Sequence, residues 1–296
     1  MSFKSGFVSI IGSPNVGKST LLNILVGEKV AIVSTKPQTT RNKITGIKNL
    51  KDCQIIFLDT PGIHRTKSEF NAMMMKQALS SLRDVDIIIY MIAANKPLDD
   101  NERYNISLLK RVKNPVILCI NKIDLIKKDT LLPIIKGYSS LHKFEEVIPI
   151  SCIKNDGIDI LLEKVIGLLP EGPKYFPEDI LTDLPEKFLA AEIIREKVFE
   201  LTKEEVPYST AIQIEEFREE TGKNLVRIMA AINVERESQK GIIIGKKGSM
   251  LKEIGTRARL DIEKLLGTRV FLKLFVRVQE KWTEDTRVLR EFGYFR

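Results

Sequence analysis

Cysteine is scarce in this 296-residue chain, with three in all: Cys53, Cys119 and Cys152. An odd number, widely separated and in no metal-ligand spacing, excludes a disulfide framework and suits a reducing compartment in which the thiols are structural. Long apolar runs are missing too. None reaches the roughly 18 to 20 residues that span a bilayer. The opening Met-Ser-Phe-Lys-Ser-Gly passes into a strand-like run without a signal-peptide pattern, so a cytoplasmic protein is expected. Internal repeats and low-complexity tracts are absent, which removes solenoid and fibrous folds. Histidine occurs twice, and neither His64 nor His142 stands in a pattern that points to a general base.

What is present is globular composition with a basic excess. Hydrophobic residues make up 43% and charged residues 29%, enough for packed cores, and the length suggests about two domains. The net charge of +8 is unevenly spread. Residues 1–175 hold 25 basic and 17 acidic side chains, 176–222 hold 5 and 13, and 223–296 hold 17 and 9. An acidic block therefore separates two basic ones that suit a polyanion, and it could repel such a partner or dock on the first domain.

Strand-length apolar runs recur at Phe7 to Ile11, Gln54 to Leu58, Asp86 to Ala93, Val116 to Ile120 and Val147 to Ile150. Helical periodicity lies between or after them at Ser19 to Leu25, Asn71 to Leu82, Asn101 to Val112 and Ile158 to Leu169. Continuous apolar strands alternating with amphipathic helices predict a mostly parallel sheet with helices on both faces, an α/β fold. Residues 38–50 could add an edge strand. Prolines and acids without sustained period predict a linker at 174–185, between a first domain at 1–173 and a second at 186–280. The second domain follows the order α-β-β-α-α-β, and 281–296 is expected to be a charged tail.

Directly after the first strand stands Gly12-Ser13-Pro14-Asn15-Val16-Gly17-Lys18-Ser19-Thr20, which contains GxxxxGK[ST] and opens a helix. Glycines let backbone N–H groups approach phosphate, Lys18 reaches the β- and γ-phosphates, and Ser19 can ligate magnesium. The second run ends in Asp59-Thr60-Pro61-Gly62, a carboxylate for magnesium and a glycine N–H for the γ-phosphate. The run at 116–120 ends in Asn121-Lys122-Ile-Asp124. A carboxylate there can accept two hydrogen bonds from guanine, which adenine cannot supply, while the Lys122 stem covers the ring. Ser151 and Cys152 follow the last run, where their N–H groups could meet the guanine O6.

With these motifs in this order, the first 170 or so residues resemble the translation-factor-related GTPases of the Ras-like superfamily. The resemblance implies a GTP-hydrolysing P-loop domain that uses magnesium held by Ser19, Asp59 and a switch threonine. That threonine is Thr40 or Thr39 in Pro37-Gln-Thr39-Thr40-Arg41, with Thr40 favoured. Where many relatives carry a water-orienting glutamine after the DxxG motif, this chain has Ile63, which cannot hydrogen-bond water. Turnover is then expected to be slow without a partner and to rest on Lys18, Thr40, Gly62 and Asn15. Relatives with the hydrophobic replacement often use an asparagine at the Asn15 position to help bind potassium, so potassium is a second expected cofactor.

The second domain centres on Gly241-Ile242-Ile-Ile244-Gly245-Lys246-Lys247-Gly248, with Lys252 one helical turn on. Two glycines bracketing two lysines between helices match the GxxG loop of type II KH domains, which clamps about four nucleotides of single strand. Ile242 to Ile244, Leu251 and Ile254 are the expected groove wall. The pairing of the two domains resembles a family of bacterial GTPases. It implies a single-stranded ribosomal RNA ligand near the 3′ end of the small-subunit RNA, association with the 30S subunit and its maturation, peripheral contact with the inner membrane face, and a monomer. Two alternatives stay open: a nucleotide-regulated RNA-binding scaffold with negligible turnover, and a membrane-peripheral GTPase.

Overall fold

Alternation of buried strands and half-buried helices organises the first part of the chain. A computed structural model describes residues 2–294 apart from 35, 37–38, 64–68, 81 and 83. It divides into two compact units, residues 1–183 and 184–296. The first is built from β1 (Lys4–Ile11), α1 (Lys18–Val26), β2 (Ile44–Leu50), β3 (Cys53–Asp59), α2 (Glu69–Ser80), β4 (Ile87–Ala93), α3 (Asp100–Leu109), β5 (Val116–Asn121), α4 (Leu131–Ser139), β6 (Glu146–Pro149) and α5 (Ile158–Leu168). Its sheet order is β2-β3-β1-β4-β5-β6, parallel throughout except for antiparallel β2 at one edge.

Every residue of β3 and β4 is buried, as expected of parallel strands covered on both faces. Ile56, Leu58, Ile88, Tyr90 and Ile92 pack with Ala78 of α2, Ile106 and Leu109 of α3 and Tyr138 of α4. Helix α1 contacts β1, β2 and β3. All three cysteines are free and buried. Helix α4 has no counterpart in the sequence reading because Pro133 breaks the pattern. Proline is tolerated within a first turn, and Leu131, Ile134, Ile135 and Tyr138 then recur at helical spacing against the core.

Residues 174–181, expected to be part of a linker, lie instead along the sheet edge. The buried Gln54 amide accepts from the N–H groups of Tyr175 (2.8 Å) and Phe176 (3.0 Å) and donates to Phe176 O (2.8 Å). Ile47 N–H of β2 donates to Leu181 O at 2.8 Å, and Asn49 Nδ2 to Glu178 O at 2.9 Å. Buried backbone and amide partners outweigh a composition that suggests a tether.

The second unit comprises α6 (Glu186–Leu201), β7 (Ala211–Glu219), β8 (Leu225–Val234), α7 (Glu237–Ile244), α8 (Ser249–Leu266), β9 (Arg269–Val278) and α9 (Thr286–Glu291). Its sheet order is β7-β8-β9, antiparallel then parallel. Ile193, Ile194 and Val198 of α6 and Ile254, Ala258 and Ile262 of α8 pack on Val226, Ile228, Ala230 and Ile232 of β8. Lys197 of α6 ties the helices together through Asp261 of α8 at 2.7 Å.

The C-terminal segment is not a solvated tail. Trp282 is 0% exposed, its Nε1–H donates to Ser209 O at 2.9 Å, and its ring meets those of Phe292 and Tyr294. Charges interspersed among these residues mask the apolar set in the sequence. Trp282→Ala should lower the stability of the second unit by about 3–5 kcal/mol, as measured by urea unfolding followed by circular dichroism.

Candidate functional site

The loops after β1, β3, β5 and β6 leave the carboxyl ends of parallel strands, where open α/β sheets bind ligands. The loop after β1 is held from several sides. Asn121 Nδ2 donates to Val16 O at 2.8 Å, Lys122 Nζ to Asn15 O at 2.7 Å, and Lys96 Nζ to Pro14 O at 3.3 Å. Asn15 itself takes a left-handed backbone, φ 63°. The cleft above the loop is lined by Pro14, Asn15, Gly17, Lys18, Ser19, Thr20, Thr39, Thr40 and Gly62, together with Ile32, Val33 and Ser34.

Lys18 is buried, and its ammonium donates to Gly12 O (3.2 Å) and Ser13 O (3.1 Å). Burial pulls its pKa down, with Asp59 opposing. The Asp59 carboxyl is held above the usual carboxylate range, chiefly by burial, while Lys18, Ser19 and Thr40 favour its charged form. A phosphate-bearing ligand in the cleft would place a further anion against this ammonium.

Ser19, Thr40 and Asp59 converge. Ser19 Oγ donates to Asp59 Oδ2 at 2.6 Å, Thr40 Oγ1 donates to the same oxygen at 3.1 Å, and the two hydroxyls lie 2.8 Å apart. Asp59 is 0% exposed, and its Oδ1 makes no hydrogen bond of standard geometry. Two hydroxyls and a carboxylate with an unspent oxygen form a hard-donor set that fits magnesium. Thr39, the competing threonine, lines the cleft with its hydroxyl donating to Lys36 O at 2.8 Å. Pro37 and Gln38 of the same motif lie outside the described residues, as does His64.

The segment after Asp59 rests on the phosphate loop. Thr60 Oγ1 donates to Ile10 O at 3.1 Å, and Ile63 N–H donates to Gly12 O at 3.0 Å. A Cβ on Gly62 would lie 2.8 Å from Pro14 Cγ, so a side chain there would displace the segment. The Ile63 side chain is 1% exposed and belongs to the core cluster of β4 and α3. Its position after DTPG therefore places no side chain beside an attacking water.

At the base-recognition end, Ser151 Oγ donates to Asp124 Oδ1 at 2.5 Å, orienting the carboxylate that would read guanine. The Ser151 and Cys152 N–H groups do not match their expected role at guanine O6. The Ser151 N–H donates to Asp156 O (3.0 Å), closing the turn, and the Cys152 N–H donates to Asn121 Oδ1 (3.1 Å), tying the turn to the NKID motif.

In the second unit, Gly245 (φ 70°) has a backbone open mainly to glycine, and a Cβ there would strike Met250. Lys246, Lys247 and Lys252 are exposed. The groove beside this turn, about 430 Å³, is lined by Gly248, Leu251, Lys252, Gly255, Thr256 and Arg259 of the turn and α8, and by Leu272, Lys273 and Leu274 of edge strand β9. Ile243 and Ile254, expected on the groove wall, are core residues. Gly241 and Ile242 are exposed and Ile244 half-buried, all three outside the groove lining. Arg259 and Lys273 went unpredicted because no motif marks them; they emerge only once α8 faces β9.

Residues 7–122 match the protein-family model described as 50S ribosome-binding GTPase, and residues 205–283 match the KH domain model. GTPase Era of Geotalea uraniireducens is 58% identical over 292 residues, covering 99% of this chain and 98% of its own length. The chain belongs to the Era family of GTPases. A crystal structure of Era in complex with MgGDPNP and nucleotides 1506-1542 of 16S ribosomal RNA has a TM-score of 0.96 at 45% identity, covering 99% of each chain. A variant of Aquifex aeolicus Era bound to GDP.AlF4- has a TM-score of 0.95 at 45% identity, again over 99% of each chain. As an Era family member, the chain is a GTP-hydrolysing enzyme with a KH domain. Among the described residues no helix is long and apolar enough to cross a membrane.

Asp124→Asn should weaken GTP binding and favour xanthine nucleotides, which present an acceptor where guanine presents a donor. Competition between GTP and XTP for the purified protein checks this, and unchanged GTP affinity would contradict the base assignment.

Proposed function

We propose that this Era family GTPase is a switch whose nucleotide state governs binding of its KH groove to a single-stranded segment near the 3′ end of small-subunit ribosomal RNA, in maturation of the 30S subunit. The observation that carries this reading is the coexistence, on one chain, of the converging Ser19–Thr40–Asp59 set and a GxxG turn opening on a cation-bearing groove. Support comes from a solved relative at 45% identity that holds nucleotides 1506-1542 of 16S ribosomal RNA. The protein would act in the cytoplasm as a monomer, and any membrane contact would be peripheral.

In this reading Gly12 to Thr20 cradle the phosphates and Lys18 meets the β- and γ-phosphates. Asp124, with Lys122 over the ring, reads guanine. Ser19, Thr40 and Asp59 hold magnesium, which when bound neutralises phosphate charge. Gly62 offers its N–H toward the γ-phosphate position. With Thr40 and Gly62 on separate loops that both need the γ-phosphate, GTP orders them and hydrolysis releases them. Lys246, Lys247 and Lys252 neutralise RNA phosphates, and unstacked bases enter the groove between α8 and β9.

Binding of a 16S 3′-end RNA fragment should differ between the GTP-analogue and GDP states. Identical affinities would remove the coupling. Combined Lys246→Ala and Lys247→Ala substitutions should weaken RNA binding and flatten its salt dependence by roughly 0.7 per lost contact. Asn15 lies on the phosphate cleft and Ile63 contributes no side chain there, so turnover should rise when potassium replaces sodium. Equal rates in the two buffers would eliminate potassium as a cofactor.

A further inference from the structure

Helix α3 carries two polar residues on its buried stripe. Glu102 and Asn105 lie beside Ile106 and Leu109, where an amphipathic helix would place apolar side chains. Glu102 accepts a hydrogen bond from the buried Tyr90 hydroxyl and lies within electrostatic reach of Lys18. Asn105 is 1% exposed, and its Nδ2 donates to Ser13 Oγ at 3.1 Å and to Ile63 O at 3.2 Å. The carbonyl of Ile63 can only accept, which fixes the amide nitrogen on that side. Asn105 Oδ1, by contrast, makes no hydrogen bond of standard geometry. The amide also meets the Tyr90 hydroxyl within the core, yet its two donor bonds tie separate loops together, which core satisfaction alone does not require.

The two acceptors belong to the phosphate loop and to the residue that follows Gly62. Ile63 is gripped three ways: its N–H by Gly12 O, its carbonyl by Asn105, and its side chain by the core. The Ile63 N–H and carbonyl are therefore both held against buried partners, and the Gly62 α-carbon is packed on Pro14, so the preceding peptide, which carries the Gly62 N–H, is confined from both sides. We propose that Asn105 is a positioning residue for GTP hydrolysis, latching the DTPG segment to the phosphate loop so that the Gly62 N–H is aimed at the γ-phosphate. The latch substitutes rigidity of the backbone for the water-orienting side chain that Ile63 does not provide. It rests on the assignment of Gly62 to the γ-phosphate, and the experiment separates the two.

Asn105→Ala removes both donors, and Asn105→Leu removes them while keeping the volume of the side chain. In full-length protein, each should lower the single-turnover rate of GTP hydrolysis about tenfold or more, the scale on which misplacement of a reacting geometry is felt. Affinities for GTP and GDP should stay within about twofold, and the excess affinity for GDP in the presence of aluminium fluoride should fall with the rate. A structural role alone would lower nucleotide affinity and rate together, and that outcome overturns the proposal, as does wild-type turnover in the Leu variant. Gly62→Ala is the separate arm: normal hydrolysis by it would remove the Gly62 assignment, whatever the Asn105 variants do.

Discussion

Burial of opposite charges around one loop is the constraint on which the GTPase unit depends. Lys18 and Asp59 are both removed from water, one with its ammonium bonded to loop carbonyls and the other with one carboxylate oxygen unspent. Buried charge is costly unless it is paired and hydrogen-bonded. The surrounding structure answers that cost with the hydroxyls of Ser19 and Thr40, and in the proposed function nucleotide phosphate and magnesium meet the remainder. The same arrangement explains why loops from four strands meet here. Each carries one part of a site that no single loop could hold in place without the sheet beneath it.

Much of this was legible in the sequence because its signals were local. GxxxxGKS, DTPG and NKID each stand at the end of an apolar run, and β3, β4 and β5 fall where those runs predict. The GxxG turn and β9 were equally plain. Long-range partners were not. Gln54 looks like an ordinary strand residue until its amide is seen to hold residues 175 and 176. Trp282 and Tyr294 are dispersed among charges, so docking of the C-terminal segment had no periodic signature. Pro133 concealed α4 by a rule that holds for helix interiors and not for first turns.

Within the site, residue types were easier to foresee than hydrogen-bond partners. Thr39 and Thr40 are adjacent hydroxyls, and only the path of the backbone turns one toward Asp59 and the other toward Lys36. The Ser151 and Cys152 N–H groups were natural candidates for the base, yet one closes its own turn and the other holds Asn121, while the Ser151 hydroxyl takes a role that no motif announces. Ile63 was visible as a missing glutamine. Its burial, and the amide of Asn105 that holds its carbonyl, required the packing of α3 on β4.

The acidic middle of the chain bears on the strand edges that the folded units expose. An exposed sheet edge is a template for pairing with another chain. The edge at β2 is covered by residues 174–181, and the edge at β9 opens on the groove beside the GxxG turn. At the edge formed by β7, the strand carries Glu215, Glu216 and Glu219 and breaks register between Ile214 and Glu216. Glu215 is paired with Arg277, but Glu216 and Glu219 together with the bulge disfavour pairing of that edge with its own copy. The acidity first noticed as a gap between two basic regions thus also serves as protection against strand-to-strand aggregation.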